Sequence, residues 1–240
     1  MKYKNKKILS NNKIDLIKKL FDDVSNKYDL MNDVMSLGLH RIWKKDFLKN
    51  IIKEKGNTIL DLAGGTGDIS IPLAKHFKNS KIYLYDLSFE MIMSGVNKVN
   101  TKPKNLYYLN GSAEELSIKD SSIDIVTIAF GLRNFSNLDI CIREIKRVLK
   151  YGKKVFVLEF SPSVDELIYA LYQYYSNRII PFLGRKIAKN EEAYVYLVES
   201  INNFPHNEEL QNIFTKNGFF CYNRKQYFGG IAYLNVFTKI

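Results

Sequence analysis

The stretch "NTILDLAGGTGDISIPLAKHF" (57–77) decides the fold. It opens as a short apolar strand, "TILDL", and runs straight into a glycine cluster. Gly64, Gly65 and Gly67 let the backbone turn tightly and approach a ligand closely. "DISIPLAKHF" then reads as a helix, with Asp68 in its first turn. Strand, glycine loop and helix form the opening unit of a doubly wound α/β sheet. In such a sheet ligands sit outside the carboxyl ends of the strands, at the point where strand order reverses.

Read outward, the alternation continues. "KIYLYD" (81–86) is the next strand and "SFEMIMSGVNKV" (88–99) the next helix, with Ser88 as its N-cap. "NLYYLNG" (105–111) and "IDIVTIAF" (123–130) are the third and fourth strands. The helix "LDICIREIKRVLK" follows, with Ile140, Ile145, Val148 and Leu149 as its apolar face and Gly152 as its stop; "KVFVLEF" is the fifth strand. Strands and helices alternating in this way predict a parallel sheet covered on both faces, with right-handed crossovers.

Past residue 160 the character changes. "DELIYALYQYYSNRIIPFLG" is an aromatic-rich helix closed by a Pro181/Gly184 turn, and "NEEAYVYLVESINNFP" a second helix. "NEELQNIFTKNGF" is a third, capped by Asn207 and ended by Gly218. "FCYNRKQYF" and "IAYLNVFTK" meet at Gly229-Gly230, a hairpin signal that makes the last strand antiparallel. The expectation is one α/β domain with a doubly wound, Rossmann-like, seven-stranded mixed sheet. Its parts are a flexible basic leader (1–12), an N-terminal helical lid (13–55), a cofactor-binding core (56–160), a helical insertion on the substrate side (161–205) and a C-terminal helix with a hairpin (206–240).

Composition narrows the setting. No apolar run approaches the ~20 residues that a membrane-spanning helix needs, and the N-terminus lacks the apolar core of a secretory signal. Cys141 and Cys221 have no metal-ligand or disulfide spacing and read as buried thiols in a reducing compartment; no metal site is expected. The net charge is +11, and residues 1–55 carry +7 of it. A basic N-terminal block suits an anionic membrane face or nucleic acid, or is simply a solvated leader.

The glycine loop specifies the cofactor class. Asp86 ends the second strand, where a carboxylate can accept both hydroxyls of a ribose. The dinucleotide fingerprint G-x-G-x-x-G would need Gly or Ala at position 70, which is Ser70. Asp61 and Asp68 flank the loop and would oppose a pyrophosphate. They suit a ligand carrying an ammonium and a sulfonium, S-adenosyl-L-methionine (SAM), although Asp68 can equally be a helix-dipole partner. The loop "GSAEEL" would cover the adenine, with the Ser112 hydroxyl near it and Ala113 leaving room for the ring. Amine methylation in nucleic acids often calls for an Asn/Asp-Pro-Pro-aromatic stretch after the fourth strand. "AFGLRN" stands there instead, which favours a carbon or oxygen acceptor over nucleic acid.

"FDDVSNKYDLMNDVMSLGLHRIWK" (21–44), "LDLAGGTGDI" (60–69), "AEEL" (113–116), "TIAFGLRN" (127–134), "LEFS" (158–161), "YYSNRIIPFLG" (174–184) and "YVYLVESINNFP" (194–205) together carry a resemblance. The chain is similar to the ubiquinone/menaquinone biosynthesis C-methyltransferase family from about Phe21 to its C-terminus. The resemblance implies SAM-dependent methylation of a ring carbon of a polyprenyl benzoquinol (2-polyprenyl-6-methoxy-1,4-benzoquinol type) or of demethylmenaquinol. Its cofactor positions fall on Thr66, Asp86, Ser112 and Ala113. The chain departs from the family at Ser112, usually Asn or Asp, and at Ala129, often Ser; each change removes a polar contact. "LSI" also replaces the usual Leu-Pro-Phe, and "LKYGKK" the usual Lys-Pro-Gly-Gly turn.

A quinol ring carbon becomes a strong nucleophile once a phenolic proton leaves, and a phenol has a pKa of roughly 10. Arg133 cannot be a base, since its pKa exceeds ~12. The expected roles are Arg133 holding the phenolate or orienting a water, Asn134 bonding the other ring oxygen, and Tyr28 bonding the quinol or closing over SAM, with core packing as the alternative for Tyr28. Two readings of Arg133 stand: this one, and a structural pair with Asp29 or Glu159. His40 reads as a packed residue, Trp43 as lid core, and Asp29 and Asp33 as helix caps. The segment 167–183 is either core or the wall of a polyprenyl tunnel, and such a surface suits an anionic membrane or a partner subunit, as a homodimer or a quinone-synthesis complex. The expected place is the bacterial cytoplasm beside the inner membrane, or the matrix side of a mitochondrial inner membrane. The rivals are an RNA or other small-molecule methyltransferase and a non-catalytic SAM-binding subunit.

Overall fold

The computed structural model describes residues 10–25, 30, 32–33, 36–183 and 191–240. Seven strands form one sheet in the order β3-β2-β1-β4-β5-β7-β6. They are β1 (Thr58–Leu62), β2 (Lys81–Asp86), β3 (Leu106–Asn110), β4 (Ile123–Ala129), β5 (Leu149–Phe160), β6 (Phe219–Tyr227) and β7 (Ala232–Lys239). Neighbours from β3 to β5 pair in parallel, while β7 pairs antiparallel with β5 and with β6. The expected mixed sheet is therefore present, and the Gly229-Gly230 turn closes the final hairpin with both glycines left-handed.

The helices are α1 (Ser10–Val24), α2 (Leu39–Ile51), α3 (Ser70–His76), α4 (Phe89–Lys98), α5 (Leu138–Val148), α6 (Glu166–Tyr174), α7 (Glu191–Asn202) and α8 (Asn207–Lys216). A π-helical turn (Tyr175–Ile179) continues α6 into a last α turn (Ile180–Leu183). Pro181 thus lies inside that turn, and Gly184 falls outside the described residues. Central strands with both faces covered are apolar throughout, and β4 is buried over six of its seven residues. Side chains alternate between two cores. Phe156 and Leu158 of β5 join Trp43, Leu73, Ile92 and Tyr194 on one face, whereas Val155 and Val157 join Cys141, Ile145 and Phe214 on the other.

Several local expectations change. α5 buries Cys141, Ile142, Ile145 and Val148, and Ile140 is exposed. Leu149 turns extended and pairs with Ile123, so β5 starts there and Gly152 is a left-handed residue within the strand. Ser88 caps α4 as expected, accepting from the Met91 N–H at 3.1 Å. Asn207 is no cap. Its side-chain oxygen accepts from Asn235 on β7 at 2.8 Å, a buried amide that needs a partner inside the core. Cys221 is only half-buried. α1 begins at Ser10, inside the span read as a leader; residues 1–9 lie outside the described residues. Among the described residues no helix is long and apolar enough to cross a membrane.

Candidate active site

Two central strands open the cleft. β1 and β4 are followed by Ala63 (φ 56°) and Phe130 (φ 58°), both in the left-handed region that favours glycine. The chains beyond them pass very close. A Cβ on Gly131 would lie 2.4 Å from that of Ala63, and one on Gly95 would lie 2.4 Å from the Thr66 carbonyl. Neither glycine stood out in the sequence, because each reports a contact with a distant segment.

The cleft holds about 700 Å³. Its floor includes Gly65, Asp86 and Gly131, and its apolar sides include Ile17, Phe21, Met91 and Phe135. α1 supplies Ile14, Ile17, Lys18 and Phe21, and is tied to α4 by the Ser88 hydroxyl donating to Asp22 at 2.5 Å and by Ser94 donating to the Ser25 carbonyl. The Asp86 carboxylate accepts from the Gly65 N–H at 2.7 Å and the Ser88 N–H at 2.9 Å. Burial pushes its pKa up to about 6 against those two donors. Each oxygen keeps a lone pair for a hydroxyl donor.

Asp61 sits beneath the glycine loop rather than in it. It is buried and accepts from Ser70 Oγ and from Thr127 Oγ1, so it fixes the loop to β4. Burial raises it to about 6 as well. Asp68 precedes α3 instead of lying in its first turn, and pairs with Lys44 of α2 at 2.7 Å. Thr66 is buried beside Asp61, and Gly67 (φ 87°) makes the turn.

At the adenine end the wall is Gly111, Ala113 and Glu114. The Ser112 hydroxyl points to Glu114 instead of the cleft. Glu114 also accepts from the Ser136 N–H at 3.0 Å and hydroxyl at 2.6 Å. Burial raises the Glu114 carboxyl, and these donors more than reverse it, holding it below the usual range. Glu114 was missed because its role depends on Ser136, 22 residues on. Taken together, these residues fit SAM: a carboxylate for the ribose, a close-approach glycine wall and an apolar slot for the adenine.

Arg133 is fully buried, and it is paired. Its Nη1 donates to Glu159 Oε1 at 2.8 Å and to the Phe130 carbonyl, and its guanidinium lies 5.4 Å from the Phe160 ring centre. The pairing with Glu159 weighed for it is present; Asp29 and Tyr28 lie outside the described residues. Arg133 Nε is buried with no hydrogen-bond partner among the described residues. Asn134 lines the cleft, and its Oδ1 accepts from the Tyr196 hydroxyl at 3.3 Å.

Behind Arg133 lies a second, apolar cavity of about 1100 Å³. Leu39, Trp43, Phe160, Leu171, Tyr172 and Ile180 are among its lining residues. Phe130 of the cleft and Phe160 of this cavity pack with their ring centroids 4.6 Å apart and their planes tilted by 35°, so two aromatic rings lie between the spaces. Trp43 is lid core as expected, packed on both rings. His40 is buried and bonded through Nδ1 to Ser36 Oγ; burial lowers it to about 4, so it is neutral. Asp33 caps no helix; it forms a two-point pair with Arg41.

The ubiE/COQ5 methyltransferase family profile matches residues 6–239. A ubiquinone/menaquinone biosynthesis C-methyltransferase UbiE of Rickettsia bellii is 41% identical over 242 residues, covering 98% of this chain and 97% of that protein. The protein of that name from Hydrogenovibrio crunogenus is 41% identical over 86% of this chain and 83% of its own length. Among solved structures, a SAM-dependent methyltransferase of Thermotoga maritima superposes with a TM-score of 0.65 at 18% identity, covering 93% of this chain and all of that one. That likeness carries the fold, and the sequence relatives carry the lineage. SAM is thus the cofactor, and the chain belongs to the ubiE/COQ5 methyltransferase family of SAM-dependent methyltransferases.

Proposed function

We propose that this enzyme methylates a ring carbon of a polyprenyl quinol, of the 2-polyprenyl-6-methoxy-1,4-benzoquinol or demethylmenaquinol type. The observation that carries this reading is the apolar cavity backing onto the cofactor cleft across the Phe130–Phe160 pair. A long hydrocarbon tail needs such a space. The relatives named for this reaction are bacterial.

SAM supplies an electrophilic methyl group. The chain's residues have to place a ring carbon, keep water out and favour the phenolate. Arg133 suits the last task as an oriented donor rather than as a bare charge. Glu159 neutralises it and holds the guanidinium still, while Nε keeps a hydrogen to give. A preorganised donor of this kind is worth ~3–4 kcal/mol in a transition state. The Tyr196 hydroxyl occupies Asn134 Oδ1, which leaves the Nδ2 hydrogens for an acceptor oxygen. Tyr28 is assigned to the same acceptor. The cofactor roles fall to Asp86, Gly64, Gly65, Thr66, Gly67, Ala113 and, as supports, Asp61 and Ser112.

Leu37 and Leu171, both about 70% exposed, line the cavity and reach solvent, and Leu167, Tyr174 and Phe228 are exposed on the neighbouring segments. This rim suits the cytoplasmic face of a bacterial inner membrane, where such an acceptor dissolves. Flotation should recover the protein with anionic vesicles, and its absence from them would remove the membrane contact. The activity itself is tested with methyl-labelled SAM and reduced demethylmenaquinone or the benzoquinol. Label in the quinone ring is expected, and its absence with both acceptors would overturn the reading.

A further inference from the structure

Trp43 is 1% exposed, and its indole Nε1 is buried with no hydrogen-bond partner among the described residues. Buried tryptophan N–H groups usually find an acceptor, and leaving one without is costly. A phenylalanine would fill the same core without that cost. Trp43 also lines the apolar cavity, with its ring centroid 6.3 Å from that of Phe130 and 6.0 Å from that of Phe160. The Arg133 guanidinium lies 5.4 Å from the same Phe160 ring. Two side chains with an unpartnered N–H, Arg133 and Trp43, therefore pack on one ring at the seam of the two spaces.

The other polar groups of the cavity wall differ. The Ser36 hydroxyl is spent on the Asn32 carbonyl and on His40 Nδ1. Tyr172 and Tyr175 are only partly buried, and a hydroxyl can turn toward whatever acceptor it meets. The indole hydrogen has one fixed direction in the plane of its ring.

The two candidate acceptors differ in their oxygens. Arg133 and Asn134 are enough for the two oxygens that both quinols carry. The benzoquinol has a third, in its methoxy group. Demethylmenaquinol has one free carbon in its quinol ring, next to the carbon that bears the tail. One pose for both acceptors puts the attacked carbon of the benzoquinol beside its tail carbon as well. Its methoxy carbon is then para to the attacked carbon and points away from the methyl donor. In demethylmenaquinol the fused ring lies in that direction and offers only C–H.

We propose that the Trp43 indole N–H donates to the methoxy oxygen of the benzoquinol, which makes Trp43 a specificity-determining residue favouring that acceptor over demethylmenaquinol. The inference rests on the quinol reading above.

Two measurements test it, each comparing the methoxy benzoquinol with an analogue carrying ethyl in place of methoxy. The pair differs by one oxygen at nearly equal size. Trp43 is the chain's one tryptophan, so labelling with [15N]indole gives a single N–H resonance in the wild-type protein. The methoxy acceptor should move that proton downfield, and the ethyl analogue should not. In turnover with methyl-labelled SAM, the ratio of kcat/KM, methoxy over ethyl, should fall ~3–10-fold in Trp43→Phe, the net worth of one neutral hydrogen bond. A ratio taken within one protein cancels any loss of folded enzyme. Tyr172→Phe should keep the wild-type ratio. Equal indole shifts with both acceptors, an unchanged ratio in Trp43→Phe, or a ratio lost in Tyr172→Phe would each overturn the assignment while ring methylation stands. Failure of every quinol to take label would instead overturn the quinol reading, and the assignment with it.

Discussion

The cleft beside Asp86 and the apolar cavity meet where the Phe130 and Phe160 rings pack against each other, yet they differ in what they offer a ligand. The floor of the cleft is backbone and short side chains at the ends of β1, β2 and β4, its sides are large apolar residues such as Ile17, Phe21, Met91 and Phe135, and its floor's polar groups are already tied to one another. The cavity is built from large apolar side chains of α2, α6 and α7 with a wall from β5. A cleft floored by fixed backbone suits one ligand of fixed shape. A cavity of aliphatic and aromatic side chains suits a tail recognised by its hydrophobicity and bulk. Arg133 and Glu159 lie on the seam, their side chains each 2% exposed.

The seam gives the largest expected effect. Glu159→Ala would leave the Arg133 guanidinium buried and charged, since arginine does not shed its proton. The expected loss is about 3–5 kcal/mol of unfolding free energy in urea, the usual result of stranding one member of a buried pair. Arg133→Met should cost less. The Glu159 left behind still accepts from the Phe160 N–H at 2.9 Å and from the backbone N–H of residue 133 at 3.2 Å. An Arg133→Met variant that is the less stable of the two would break this account of the seam.

The two regions should also answer differently to pH. Asp86 and Asp61, on the cofactor side, are raised by burial to about 6. On the acceptor side, burial pushes Tyr172 and Tyr196 up to about 12. Those phenols stay protonated from pH 5 to 8. Affinity for S-adenosylhomocysteine should therefore hold above pH ~6 and fall by up to about tenfold per unit below it, as the Asp86 carboxylate that accepts the ribose hydroxyls is protonated. The free protein has the opposite sign. A raised carboxyl binds its proton more tightly folded than unfolded, so these two groups contribute less stability as pH rises from about 4 to 6. Asp86→Asn should weaken the ligand ~10–100-fold at pH 7.5 and flatten much of the acid limb. An unchanged acid limb in that variant would move the titration away from Asp86.

The same contrast explains what could be read from sequence. Strand and helix periodicity is local, so the sheet, the glycine loop and Asp86 were all visible. Asp86 is the last residue of β2, and the glycine loop follows the end of β1. What stayed hidden depends on pairs far apart in the chain. Gly131 is glycine because Ala63 is there, Ser112 turns away from the cleft because Glu114 takes its hydrogen, and Lys44 is 24 residues from the aspartate it meets. Asn207 looked like a cap because Asn suits caps, and only the fold shows that the buried Asn235 claims it. The apolar helix 167–183 left core and tunnel wall undecided, since periodicity does not tell a filled interior from an empty one. The cavity beside Tyr172 and Ile180 settles that wall as cavity-lining.

The smallest expected effect is the most selective probe of that wall. Leu171 lines the cavity yet is 72% exposed, so a charge there should change folding stability by no more than about 0.5 kcal/mol. Leu171→Glu would nevertheless put a carboxylate at the mouth through which the proposed tail would pass. Each CH₂ taken from water is worth ~0.8 kcal/mol, so displacing even two of them from the wall raises KM by about tenfold. The rise should appear with a long-tailed quinol and vanish with a one-isoprene analogue. S-adenosylhomocysteine affinity, set in the other chamber, should not move. A rise of equal size for both tail lengths would place the effect at the ring rather than in the cavity, and the division of labour between the two chambers would fail with it.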